Sequence, residues 1–261
     1  LVDDKAVNAN DWVIHNMIVS RTPLRISFLG GGTDYPDWYL KHGGAVISTS
    51  IDKYCHVNLY QGKQPVWHFD LPSKAGLGTS SALTVGLLRV YNISVGKEDL
   101  AQWATIWEQD KLGGNIGAQD QYICSVGGFH LLRFSETGVR SFDFTDIDWL
   151  NPYLMLFNTH QYRMAGMVVA NQLKEMHRHT KVYEKIMDMV DVGKTTLEKK
   201  DSQGFGELLG ESWSLKRQLS KYISNSMIDD IYAKAKSAGA IGGKLLGAGG
   251  GGFMLFLAPI D

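Results

Sequence analysis

Glycine placement constrains this chain more than any other feature. Its 29 glycines include four clusters, in residues 30–32, 76–78, 113–117 and 247–252. Glycine admits positive φ and lets the backbone approach a ligand closely, so a cluster at an element boundary marks a tight turn or a binding loop. The second cluster is the most informative. Leu71-Pro72-Ser73-Lys74-Ala75-Gly76-Leu77-Gly78-Thr79-Ser80-Ser81-Ala82 leads into Leu83, Leu87 and Leu88, whose spacing predicts a helix from Ser80 or Ser81 to about Tyr91. The first turn of a helix offers unpaired N–H groups and the positive end of the helix dipole. Glycines there let the backbone wrap a polyphosphate, and hydroxyls donate to phosphate or ligate magnesium. An N-cap serine after a tight turn is the plainer alternative. The segment is neither the GxxxxGKS/T pattern nor GxGxxG, which argues against P-loop and dinucleotide-binding folds.

Composition narrows the class. The chain has 261 residues, 44% hydrophobic and 20% charged, which suits a globular protein of one large or two modest domains. Its net charge of −1 lacks the basic surplus of a phosphate-backbone binder, so no nucleic-acid partner is expected. Two cysteines, Cys55 and Cys124, are too few for a disulfide framework and fit a reducing compartment. Neither a run of ~20 apolar residues nor a secretory signal is visible, so no membrane association is expected and a cytoplasmic location is. The eight histidines show no metal-ligand spacing.

The compact part is expected to begin at Met17. Strand-like runs are MIVSRTPLRISFL from Met17, residues 45–60, 129–134, 139–144 and 153–157, and the closing FMLFL. A helix over about 98–111 places Leu100, Trp103, Ala104 and Trp107 on one face, read as core. The 80 or so residues after the fifth run are mainly helical, and Ser226 with Asp229 resembles a capping pair. Strands and helices are partly segregated, which predicts an α+β chain of two lobes, 17–150 and 151–261.

Three motifs now carry a family resemblance. Residues 72–82 resemble P-x-x-x-G-L-G-S-S-x-A, with Thr79 for the first serine. Pro23-Leu24-Arg25-Ile26-Ser27-Phe28-Leu29-Gly30-Gly31-Gly32-Thr33-Asp34-Tyr35 is similar to the P-G-R-x-N-L-I-G-E-H-T-D-Y of sugar kinases. Lys244-Leu245-Leu246-Gly247-Ala248-Gly249-Gly250-Gly251-Gly252 is similar to K-x-T-G-A-G-x-G-G. These are the motifs of the GHMP kinases, in the right order. The resemblance implies a two-lobed fold, with a left-handed βαβ nucleotide site in the N-terminal α/β lobe and a ferredoxin-like C-terminal lobe. It also implies ATP and Mg2+ as cofactors. The finer pattern (IGAQDQY, ESWSLKRQLSKYISN, GGKLLGAGGGGFMLF) looks like the D-glycero-D-manno-heptose 7-phosphate kinases, which supply activated heptose for lipopolysaccharide, capsule or S-layer glycans. A kinase of fucose or mannose, or a non-catalytic sensor of the same fold, is the alternative.

Roles follow from the resemblance residue by residue. Gly76, Leu77, Gly78, Thr79, Ser80 and Ser81 hold ATP phosphates, and Ser80 with Glu108 holds the metal. Asp120, in Gly117-Ala118-Gln119-Asp120-Gln121, orients or deprotonates the acceptor hydroxyl. Arg25 stabilises charge on the transferring phosphoryl group or lowers the pKa of Asp120. Gly31, Gly32, Thr33, Asp34, Arg163, Gly247, Ala248 and Gly249 bind the sugar substrate. Gly31-Gly32 stands where galactokinases carry Glu-His, which removes a carboxylate beside the sugar. Lys216-Arg217 is either a phosphate-binding pair or a solvated helix face. The bridge of residues 61–69 is shorter than the family's, which leaves the adenine-side contacts unassigned. A sugar phosphate is the expected partner, and a homodimer is compatible.

Overall fold

The computed structural model describes residues 17–60, 63–92, 94–112, 116–161 and 165–260. In chain order the elements are β1 (Met17–Leu29), α1 (Pro36–His42), β2 (Gly44–Tyr60), β3 (Val66–Phe69), α2 (Thr79–Tyr91), α3 (Lys97–Leu112), α4 (Gln119–Val126), β4 (Phe129–Ser135) and β5 (Gly138–Asp143). After a 3-10 turn come β6 (Leu154–Asn158), α5 (Ala165–Glu175), α6 (Thr180–Glu198), α7 (Ser202–Gln218), α8 (Ser226–Ser237), β7 (Gly242–Leu245) and β8 (Phe253–Leu257).

The two apolar runs β1 and β2 pair antiparallel from Met17↔Tyr60 to Leu29↔Ile47, with a register shift between Pro23 and Arg25. Proline has no N–H to give the ladder, and an irregularity of this kind re-aims the next side chain. Here the Arg25 N–H turns to the Leu77 carbonyl at 3.0 Å, which ties β1 to the glycine-rich loop. The larger sheet has the order β1-β2-β4-β5, and β3 also pairs with β2. Because β1 lines one edge of β2, β3 and β4 share the other, at Cys55–Asn58 and Gly44–Thr49 respectively. Both run antiparallel to β2 and therefore in the same direction as each other, joined through α2, α3 and α4. That is the β-helix-β connection that carries the glycine-rich loop.

The second sheet is β6-β8-β7, wholly antiparallel. It has three strands among the described residues, where a ferredoxin-like lobe has four. The stretch between β6 and β7 is helical because its apolar residues recur at helical spacing, as Tyr183, Ile186, Met189 and Val190 do along the buried side of α6. One continuous core joins the lobes: Phe28 of β1 stacks on Phe129 of β4 at 5.1 Å and meets Phe205 of α7 at 5.6 Å.

Two local expectations are corrected. In α3 the buried stripe is Leu100, Ala101, Ala104, Thr105 and Glu108, while Trp103 and Trp107 are nearly half exposed, at 44% and 46%. The alanines are the face on which α3 packs against α2 and α4, and the indoles stand outside that contact. At α8 the cap is Asn225, whose Oδ1 accepts from the Ile228 N–H at 3.1 Å; Asp229 instead accepts from Ser224 Oγ at 2.6 Å. Ser226 is simply the first helical residue.

Candidate active site

A cavity of about 440 Å³ opens where β1, the starts of α2 and α4, and the 247–252 loop converge. Gly78, at the N-cap of α2, has φ 71° and no side chain, so the cap leaves first-turn N–H groups facing the cavity. Ser80 is exposed there, and Gly76, Gly78, Thr79 and Ser81 line the same wall. Leu77 departs from its expected role: its side chain is fully buried in the core, and it serves the site through the carbonyl that accepts from Arg25.

Asp120 stands in the first turn of α4, in the same cavity. Arg25 grips it in a fork, Nε to Oδ1 at 2.7 Å and Nη2 to Oδ2 at 2.5 Å. Its third nitrogen donates to the Gly76 carbonyl at 2.7 Å. Burial opposes the Arg25 charge, but the attraction of Asp120 outweighs it and holds the guanidinium protonated. Arginine thus links the carboxylate to the phosphate-side loop in one rigid unit.

Asp34 ends the Gly30–Gly32 turn and lies against the same helix start. Its Oδ1 accepts from the Gly32 N–H at 3.0 Å, its Oδ2 from the Gln119 N–H at 3.4 Å, and its carbonyl from the Ala118 N–H at 2.9 Å. Burial and then the neighbouring Asp120 charge raise its pKa above the ordinary carboxylate value. Gly31, Gly32, Gly247, Ala248 and Gly249 line the cavity as expected. Thr33 does not: it is fully buried, and its hydroxyl donates to the Gly30 and Ala45 carbonyls at 2.8 and 3.0 Å, locking the turn. Arg163 lies outside the described residues.

Glu108 projects from α3 and is 1% exposed. Ser81 Oγ and Thr84 Oγ1 each donate to it at 2.8 Å, Gln121 donates as well, and Ser80 Oγ stands 3.5 Å from Oε1. Burial raises its pKa, and these hydrogen bonds only partly offset that. The pair Ser80–Glu108 fits a hard cation: both ligand atoms are oxygens, and two neighbouring ligands of an octahedral Mg2+ are about 2.9 Å apart.

Two lysines missed as a set complete the wall. Lys216 and Lys244 both line the cavity, and among the described residues neither forms an ion pair. Lys216 donates to the Gly247 carbonyl, and Lys244 to the Phe28 carbonyl at 2.6 Å. Burial, then the Arg25 charge, lowers the Lys216 pKa to about 8. Burial, then the Lys216 and Arg25 charges, also lowers the Lys244 pKa well below the usual lysine value. Buried cations with only neutral partners are costly unless an anion joins them. Arg217, by contrast, turns outward and meets Asp229 at 3.3 Å, since successive helical residues point about 100° apart. Ser27 Oγ and Gln119 Oε1 are buried, have no hydrogen-bond partner among the described residues and line the cavity, so they can meet ligand hydroxyls.

Comparison with known proteins agrees with this arrangement. The family models described as GHMP kinases N terminal domain and GHMP kinases C terminal match residues 49–128 and 194–259. The chain is 27% identical to the D-glycero-alpha-D-manno-heptose 7-phosphate kinase of Campylobacter jejuni, covering 92% of this chain and 88% of that one. It is 29% identical to a mevalonate kinase of Pyrococcus horikoshii, over 97% of this chain and 75% of the relative. A D-glycero-D-manno-heptose 1-phosphate kinase from Bacteroides thetaiotaomicron shares its fold, with a TM-score of 0.71 at 22% identity, over 92% of this chain and 88% of the other. No helix among the described residues is long and apolar enough to cross a membrane. With both family domains matched in order around a cavity built from the three motifs, the chain belongs to the GHMP kinases and is an ATP-dependent kinase.

Proposed function

We propose that this kinase transfers the γ-phosphoryl group of ATP to the anomeric hydroxyl of a phosphorylated manno-heptose, D-glycero-D-manno-heptose 7-phosphate. The observation that carries the reading is the Arg25–Asp120 fork, held in one cavity with the α2 start and the unpaired Lys216 and Lys244. Phosphoryl transfer depends on positioning and electrostatics. ATP phosphates lie against the N–H groups of Gly78–Ser81. Asp120 accepts the hydrogen bond of the attacking hydroxyl and aims it at phosphorus. Arg25 holds that carboxylate in its two-donor fork and places positive charge beside the transferring group. Asp34, Ser27 and Gln119 hold sugar hydroxyls, and Lys216 takes the remote phosphate of the acceptor. When bound, Mg2+ on Ser80 and Glu108 neutralises charge on the ATP phosphates. The intact fork speaks against a non-catalytic sensor. The product would enter activated-heptose synthesis for surface glycans.

A turnover assay with MgATP and a panel of heptose 7-phosphate, mannose and fucose tests this. Heptose 7-phosphate should be preferred, and Lys216→Met should erode the preference by roughly 10- to 150-fold, the worth of one charged hydrogen bond of about 1.5–3 kcal/mol. A general folding defect lowers all substrates alike and leaves the ratio unchanged. Equal turnover of mannose and heptose 7-phosphate by the unmutated chain would discard the phosphorylated acceptor.

The cation assignment has its own test. Mg2+ and ATP together should raise Tm more than either alone, because ligand binding stabilises by RT ln(1 + [L]/Kd). Glu108→Gln should abolish the magnesium-dependent part of that rise. If the part survives, another group holds the metal.

A further inference from the structure

We infer that His56, His68 and Asp70 form a binding site for a borderline divalent transition-metal ion of the Zn2+ type, separate from the cavity that holds ATP. The histidines lie twelve positions apart in sequence, and the hairpin register brings them together: His56 of β2 and His68 of β3 are direct cross-strand partners. Strand alternation puts both on one face. Cys55 and Val57 point into the core, so His56 points away from it, and directly opposed residues of an antiparallel pair share a face. The rings lie 4.5 Å apart and nearly parallel, at 5°.

Asp70 closes the group. Its Oδ1 is 3.0 Å from His56 Nε2, and one ligand atom from each of the three residues lies within 4.8 Å of the others. Among the described residues no other trio of His, Cys, Asp and Glu comes so close. Four-coordinate zinc with bonds of about 2.0–2.1 Å sets its ligand atoms roughly 3.3–3.4 Å apart. Uptake of an ion therefore requires the imidazoles to turn about their Cβ–Cγ bonds, out of the stacked pose.

The outer support is already built. The Tyr54 N–H donates to Asp70 Oδ2 at 2.8 Å, and the Asp70 N–H donates to the Tyr54 carbonyl at 2.9 Å. Both bonds fix the carboxylate and leave Oδ1 directed at the histidines, as outer hydrogen bonds orient ligands in metal sites. Two imidazoles and one carboxylate favour Zn2+, Cu2+, Ni2+ or Co2+ over Mg2+ or Ca2+, which prefer all-oxygen sites. His68 and Asp70 are exposed, so an ion has a path in and water can complete the coordination. Asp70 directly precedes the 71–78 loop, so a bound ion would clamp β3 and the start of that loop onto β2.

The test uses the whole chain in excess MgCl2, which satisfies the Ser80–Glu108 position. ZnCl2 is titrated calorimetrically, and CoCl2 is titrated with visible absorption as the readout. One strongly bound equivalent is expected, with Co2+ ligand-field bands of a four- or five-coordinate ion. His68→Ala and Asp70→Asn should each weaken Zn2+ binding by 10-fold or more. Asparagine can still accept from the Tyr54 N–H, so a loss in that variant reports on the ligand rather than the fold. His177→Ala, at an exposed histidine elsewhere, should bind as the unmutated chain does. If the unmutated chain takes up no Zn2+, or if both site variants bind it as tightly as before, the trio is a hairpin-stabilising contact only and the inference is overturned.

Discussion

Asp120→Asn is expected to lower kcat by roughly 10²-fold or more while leaving ATP affinity within a few-fold. Asparagine keeps the shape of the side chain but not its charge, and its amide nitrogen has to face one of the two Arg25 donors that now fit the carboxylate. The fork breaks on one side, and the attacking hydroxyl loses an anionic acceptor. In the proposed arrangement the nucleotide rests on the α2 start, Ser80 and Glu108, none of which bonds Asp120 directly, so ATP binding should be spared. Isothermal titration with a non-hydrolysable ATP analogue, beside steady-state kinetics, separates the two effects. A variant with near-normal kcat would move the acceptor role to another group, with Asp34 next in position. Loss of nucleotide binding with kcat unchanged would make Asp120 a structural acid.

Legibility in the sequence follows the range over which each structural cause acts. Strands β1, β2 and β4 are legible because long apolar and β-branched runs declare themselves locally. Strand β7 is not. Gly242-Gly243-Lys244-Leu245 has poor strand propensity, and it pairs because β8 lies beside it and Gly243 leaves room for the Phe256 ring. Helix α4 is hidden by its polar opening, Gln119-Asp120-Gln121, so the motif names Asp120 but only the structure puts it in a first helical turn against Arg25. The indoles of α3 mislead for the converse reason: hydrophobicity names the stripe, while packing distance selects alanines for the buried side.

The site divides in the same way. Arg25, Glu108 and Asp120 are visible through motif order, whereas the separate fates of Lys216 and Arg217 depend on how α7 is rotated against the 247–252 loop. Thr33 and Leu77 sit inside the motifs yet serve the turn and the core rather than the cavity. The His56–His68–Asp70 group needs a hairpin register that no spacing rule supplies.

Gly247→Ala is expected to cost the protein both stability and activity. Two glycine loops cross there with their backbones in contact. A Cβ on Gly247 would lie 2.4 Å from Gly76 Cα, and its φ of 69° is left-handed. The collision is with main chain, so no side chain can swing aside. Left-handed strain costs about 1–2 kcal/mol and overpacking about 1–3, together roughly 2–5 kcal/mol. That is a large share of the ~5–15 kcal/mol that holds a typical domain folded, and for a chain of this size it lowers Tm on the order of 10 °C. Relief by moving the loops apart would shift Gly76, whose carbonyl takes an Arg25 donor, and the Gly247 carbonyl that takes Lys216. The fork and the buried cation are thereby disturbed together, and kcat/KM should fall at least 10²-fold at a temperature where the variant remains folded. Gly239→Ala supplies the control. Gly239 has φ 101°, and a Cβ there would meet nothing within 4 Å, so the substitution incurs backbone strain without a collision. Its Tm should drop by only a few degrees, with kcat/KM unchanged. Equal losses in the two variants would show that conformation alone, and not the crossing of the loops, sets the requirement for glycine at 247.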